Sequence, residues 1–138
     1  MNEVFLDAAY AIALSSVNDR HHERAVTLAE RLETEGTHLV TTRAVILEIG
    51  NALSKVRYRN AAIGLLAALE EDPNVEIIPL SEELFERAFR YYQARQDKDW
   101  GITDCISFVV MQDRQLTESL TTDEHFQKAG FRALLREV

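Results

Sequence analysis

The sequence predicts an α/β fold in three layers, α/β/α, with a mostly parallel and roughly five-stranded sheet between two sets of helices. Three observations carry this expectation. Short apolar runs recur along the chain, and stretches of helical periodicity about 10–15 residues long separate them. A chain of 138 residues can bury a proper core without disulfide staples. Its hydrophobic content of 46% and charged content of 28% are those of a soluble globular domain, which excludes a disordered tail, a collagen-like repeat and a disulfide scaffold. With only two prolines, five glycines and no linker or internal repeat, residues 1–138 are expected to form a single continuous domain.

The first strand is expected at Val4-Phe5-Leu6. The apolar character continues to Val17, but no basic residue precedes it and Asp7 interrupts it, so it does not read as a signal peptide. His22 to Thr34 carries Ala25, Leu28, Ala29 and Leu32 at the spacing of one helix face. His38-Leu39-Val40 is the second strand. Thr42 to Val56 carries Val45, Ile49, Ala52, Leu53 and Val56 at helical period and is expected as one helix. Val75 to Ile78 is the third strand. Ser81, with Glu82 and Glu83 behind it, opens a helix marked by Leu84, Ala88 and Tyr91. A more completely apolar helix runs from Ile106 to Met111, followed by a strand at Ser119-Leu120-Thr121 and a weaker one at Arg132 to Leu135.

Fifteen basic residues against 23 acidic ones give a net charge of −8. A protein that wraps a long duplex normally has a basic balance, so any contact with nucleic acid is expected to be local or helped by metal ions. The single cysteine, Cys105, cannot form an internal disulfide and fits a reducing cytoplasm. No stretch reaches the roughly 18 apolar residues of a membrane span, so a cytoplasmic protein without a membrane partner is expected.

In an open α/β sheet, ligands bind beyond the carboxyl ends of the strands. Asp7 follows the first strand and Asp123 follows the fourth, so both are expected at one sheet edge. At about 100° per residue, Glu48 falls roughly 60° from Val45, on the rim of its helix's apolar stripe, with Asn51 on the same rim. Asp104 falls near the start of the apolar helix that contains Ile106. Each acid also has an ordinary reading: Asp104 and Asp123 as helix caps, Glu48 as a solvated rim charge. Asp7 is harder to read that way, because burying an unpaired carboxylate costs several kcal/mol. Together the four acids suit a hard divalent cation such as Mg²⁺ or Mn²⁺, which in turn can polarise a phosphodiester and acidify a water.

With these residues placed, the chain resembles the PIN-domain ribonucleases, most closely the small bacterial ones of the VapC toxin type. The resemblance runs from Val4 to Leu135. It rests on Phe5-Leu6-Asp7, on Val45 to Glu48 with Asn51-Ala52-Leu53, on Asp97 to Phe108, and on Leu120 to Phe126 with Ala129-Gly130-Phe131. It implies a Mg²⁺- or Mn²⁺-dependent endoribonuclease whose metal-binding acids are Asp7, Glu48, Asp104 and Asp123, with Thr121 ordering the site in a Thr-x-Asp element. It also implies a homodimer and an antitoxin protein that occludes the site. Many relatives carry Thr or Ser directly after the first Asp; here Ala8 and Ala9 follow it, which removes a hydroxyl near the metal.

The remaining polar residues divide between chemistry and packing. His125 is close to Asp123 in sequence, Asp99 is close to Asp104, and each is by default an exposed residue. His21 and His22 are adjacent and so point apart on a helix. Cys105, Trp100 and Phe126 are expected to pack rather than react. Arg43, Lys55, Arg57 and Arg59 form the densest basic group, suited to an RNA backbone or to a solvated helix face. A metal-dependent endoribonuclease is therefore the leading expectation. The alternative is a catalytically degenerate module that binds RNA or protein, which the Ala8-Ala9 departure favours. A phosphoenzyme at Asp7 lacks the second Asp two residues on, where Ala9 stands.

Overall fold

The computed structural model describes residues 2–137. The chain begins with strand β1 (Glu3–Leu6), helices α1 (Ala8–Ser15) and α2 (His22–Glu35), and strand β2 (His38–Thr42). Helices α3 (Arg43–Ala52) and α4 (Val56–Glu71) lead to β3 (Val75–Ile78). Helices α5 (Glu82–Ala94) and α6 (Ile102–Arg114) lead to β4 (Glu118–Leu120), α7 (Glu124–Lys128), β5 (Arg132–Ala133) and a 3₁₀ turn at Leu134–Arg136.

All five strands are parallel, in the order β3-β2-β1-β4-β5. Val4 pairs in register with Leu39, Phe5 with Ser119, and Ser119 with Ala133. The chain winds outward from β1 through β2 to β3, then crosses back to β4 and on to β5. Right-handed crossovers therefore put α1 to α4 on one face and α5 to α7 on the other, the three-layer arrangement that the sequence predicts. The reversal between β1 and β4 opens a crevice beyond their carboxyl ends, where such sheets bind ligands.

The core is apolar on both faces of the sheet. Phe5, Leu28, Ile49, Phe108, Met111, Leu120 and Phe126 are fully enclosed. Phe108 on α6 meets Phe126 edge-on, with centroids 5.0 Å apart, and Trp100 in the same way at 5.1 Å. Trp100 and Phe126 are thus packing residues, as expected.

Besides the start of α6 at Ile102, before the expected Ile106, three elements differ from the sequence reading. The helix expected over 42–56 stops at Ala52, and a second helix, α4, starts at Val56; the apolar stripe runs across the break and hides it. Helix α1 has buried residues at Ala8, Tyr10, Ala11 and Ala13, and its apolar composition on all sides leaves no wet face to set a period. At the last strand only Arg132 and Ala133 pair; Leu135 instead donates its N–H to the Thr121 carbonyl at 3.2 Å and the chain tightens into the 3₁₀ turn. Elsewhere the local signals hold: the Ser81 hydroxyl accepts the Leu84 N–H at 3.1 Å, capping α5. No helix among the described residues is long and apolar enough to cross a membrane.

Candidate active site

Asp7 leaves the end of β1 and stands at the N-cap position of α1. Its backbone N–H donates to the Leu120 carbonyl at 3.2 Å, which fixes it against the end of β4. The residue is 8% exposed, and its Oδ2 accepts a 2.6 Å hydrogen bond from the Thr121 hydroxyl. That hydroxyl also accepts the Asp123 N–H at 3.0 Å. Fully buried Thr121 therefore ties the two strand ends together and fixes where Asp7 and Asp123 stand relative to each other. Burial pushes the Asp7 carboxyl up to about 6, with Asp104 and Asp123 adding to the rise and the Thr121 hydroxyl opposing it.

Glu48 arrives from a different layer. The Thr42 hydroxyl accepts the Val45 N–H at 3.1 Å and starts α3 directly at the end of β2. Helix α3 packs against both α1 and α6, so its Glu48 rim faces the crevice. The side chain is exposed at the mouth of the site, yet burial of its carboxyl, followed by the charges of Asp7, Asp104 and Asp123, raises it to about 7.

Asp104 lies in the first turn of α6, which begins at Ile102, earlier than the sequence pattern indicates. Its Oδ2 accepts the Gly101 N–H at 3.1 Å and faces the His125 Nδ1 at the same distance. Burial raises this carboxyl above the usual aspartate range, against the pull of the His125 contact. Asp123 caps α7, its Oδ1 accepting the His125 N–H at 2.8 Å. For Asp104 and Asp123 the capping reading and the site reading are compatible. A cap uses one carboxylate oxygen and leaves the other available to a cation.

Asp104, Asp123 and His125 offer ligand atoms that lie within 4.8 Å of one another. His125, read from the sequence as by default an exposed residue, is half-buried against Asp104 and Asp123. Its only sequence signal is the Asp-x-His spacing, and the contact arises because α7 turns the ring back onto Asp104 of α6. Asn51 is not drawn in: it is exposed on α3, with no side-chain hydrogen bond among the described residues. Asp99 is also exposed and does not contribute to the shifts of the clustered acids. The His22 Nδ1 lies 2.8 Å from the Ala13 carbonyl, to which it can only donate, a packing contact that ties the start of α2 to α1.

The donor set is four carboxylates and one imidazole, with the buried Thr121 hydroxyl joining Asp7 to Asp123. Carboxylates forced together raise one another's pKa unless a cation sits among them, and oxygen donors suit a hard one. Burial raises the Asp7 and Glu48 carboxyls and the neighbouring acids add to the rise, so their charged forms lack a counterion, and a set of oxygen donors of this kind fits a divalent ion.

A sequence model of the PIN domain matches residues 4–132. The chain belongs to the PIN domain family. Among curated PIN-domain relatives, the 23S rRNA-specific endonuclease VapC20 of Mycobacterium tuberculosis is 23% identical over 128 residues, covering 93% of this chain and 95% of its own. The crystal structure of VapC20, described as a sarcin–ricin loop cleaving toxin, superposes with a TM-score of 0.80 over 93% of this chain and 95% of that one. VapBC2 of Rickettsia felis, bound to a DNA fragment from its promoter, superposes at 0.69 with 14% identity, covering 95% of this chain and 96% of that one. FitAcB of Neisseria gonorrhoeae does so at 0.63 with 19% identity and 94% of each chain. These likenesses establish the PIN fold.

Proposed function

We propose that this PIN domain is a metal-dependent endoribonuclease that hydrolyses RNA phosphodiester bonds, and that it is the toxin of a toxin–antitoxin pair. The observation that carries the reading is the convergence of Asp7, Glu48, Asp104 and Asp123 from four separate elements, near enough for their charges to act on one another, with Thr121 tying Asp7 to Asp123. The 23S rRNA specificity of VapC20 supports RNA as the substrate class.

Asp7, Glu48, Asp104 and Asp123 are the residues that would hold Mg²⁺ or Mn²⁺. Such an ion, when bound, supplies the positive charge that polarises a phosphodiester and makes water more acidic at neutral pH. The chain's own residues do the rest. Thr121 holds the Asp7 carboxylate in one rotamer and, through the Asp123 N–H, sets where the second acid emerges. His125 spans Asp104 and Asp123 and keeps both oriented across the crevice. Exposed Glu48 closes the solvent side, where a phosphate would enter.

An antitoxin protein and a second copy of the chain are the partners of this reading, and the cytoplasm its compartment. An exposed ladder on α5 supports a homodimer: Phe85 stacks on Phe89 at 6.1 Å and Phe89 on Tyr92 at 6.3 Å. The test is to incubate purified protein with 23S rRNA and with single-stranded DNA in Mg²⁺, Mn²⁺ or EDTA, alongside Asp7→Asn. Metal-dependent cutting of RNA that the variant lacks is expected. Metal binding without cleavage of any RNA would favour the degenerate binding module, and absence of metal binding would sink the four-acid site.

A further inference from the structure

We infer that the segment joining α3 to α4, together with the start of α4, is an RNA-docking arm in which Lys55, Arg57 and Arg59 hold backbone phosphates of the strand being cut; this rests on the ribonuclease reading above. The inference starts from how the cations of an acidic chain are distributed. Arg43, Arg87, Arg95, Arg114 and Arg132 each face a carboxylate: Glu70, Asp113, Asp97, Glu3 with Glu76, and Glu118 with Glu137. These pairs neutralise themselves and offer little to a polyanion.

Lys55, Arg57 and Arg59 differ. They are exposed and have no carboxylate partner among the described residues. The sequence from Ile49 to Leu69 contains no Asp or Glu at all, so no acid on the same segment competes for them. Two internal contacts give the arm a shape. Arg59 donates to the Ser54 carbonyl at 2.6 Å, and the Arg57 guanidinium lies 4.8 Å over the Tyr58 ring. Neither contact cancels the charge, so a strongly acidic protein carries a local basic surface here.

Its position decides the partner. Glu48 and Lys55 lie on one continuous path: four helical residues to Ala52, rising about 6 Å, then three more that span at most about 11 Å. Lys55 is therefore within about 17 Å of Glu48 along the chain, and Arg57 and Arg59 follow within about 6 Å more at the start of α4. At physiological salt, charges further apart than about 8 Å are largely screened. The arm thus acts on phosphates flanking the cleaved one, while the acids and their ion act on the cleaved one itself. A polyanionic strand that must enter a ring of carboxylates needs such a hold beside it, and Tyr58 offers a ring edge for a neighbouring base.

The test reads binding without cleavage. Fluorescence anisotropy of a labelled single-stranded RNA oligonucleotide is titrated in EDTA across a range of salt, with wild type, K55Q/R57Q/R59Q, and a charge-matched control, R20Q/R31Q/R90Q, whose exposed arginines lie on other elements. The arm variant is expected to bind roughly tenfold or more weakly at low salt, with the slope of log K against log salt shallower by about 2. The control should match wild type, and the charge-conserving K55R/R57K/R59K should restore binding. Thermal melts confirm folding, and Lys55→Gln alone should lower the slope by about 0.7 if the triple variant unfolds. Equal losses in arm and control variants would overturn the inference, since net charge alone would then explain binding. Unchanged RNA affinity in the arm variant would also overturn it, leaving exposed Val56 and Ile63 of this segment to a protein partner. A wild type that cuts no RNA in Mn²⁺ would refute the ribonuclease reading alone.

Discussion

Replacing Asp7 by asparagine should stabilise the metal-free protein. Asp7 is 8% exposed, and burial raises its carboxyl from 3.8 to about 6. A raised folded-state pKa means that the folded protein holds its proton more tightly than the unfolded chain does. Stability is therefore lost as pH rises from about 4 to about 6, and the full penalty applies above that range. The shift of about 2 pKa units corresponds to about 3 kcal/mol at pH 8, falling to about 0.5 kcal/mol at pH 4. A carboxamide in its place has no charge to desolvate, and its oxygen can still accept from Thr121. Urea unfolding in EDTA should show Asp7→Asn ahead of wild type by about 3 kcal/mol at pH 8, with the gap nearly closed at pH 4. Mn²⁺ at a hundred times its Kd should then raise wild type by about 2.7 kcal/mol and the variant by far less. A variant less stable than wild type at pH 8, or a difference that ignores pH, would refute the claim that this carboxylate is held against its solvation for the sake of a cation.

The other expectations follow the same contacts. Thr121→Val removes a donor from Asp7 and an acceptor from the Asp123 N–H, and should cost about 2–5 kcal/mol by chemical denaturation, with Thr121→Ser recovering most of it. Metal binding must expel protons from Glu48 (about 7) and Asp7 (about 6), so apparent Mn²⁺ affinity should rise from pH 5 to pH 8. Calorimetry in buffers of different ionisation enthalpy should register proton release on binding. Glu48→Gln should raise the metal-free melting temperature at pH 8, by less than Asp7→Asn because the side chain is exposed, while lowering any metal-dependent cleavage by at least about a hundredfold, read in single-turnover assays. Phe108→Ala should cost about 3–5 kcal/mol, because its ring fills the space between Trp100 and Phe126 under the site.

Much of this is readable because parallel sheets leave a strong local record. Buried strands are short apolar runs, and Ser81 and Thr42 announce their helices by capping chemistry that acts over three residues. Asp7 stands out because a carboxylate directly after a buried strand has few cheap explanations. Where the record fails, it does so for physical reasons. Helix α1 is apolar on nearly every side and shows no polar face, and the α3–α4 break falls within an unbroken apolar stripe. His125 reads like any residue at a helix start.

The sequence by itself determined the fold class, the layer order and which acids lie near strand or helix ends, because those depend on periodicity and on side chains reaching neighbours along the chain. Only the tertiary structure decided that the acids share one crevice. Asp7 and Thr121 are 114 positions apart, and what joins them is the pairing of β1 with β4, which no local pattern encodes. The same holds for charge. The raised Asp7 and Glu48 carboxyls arise from burial and from neighbours that arrive on other elements, so the affinity proposed for a cation would be a property of the folded chain.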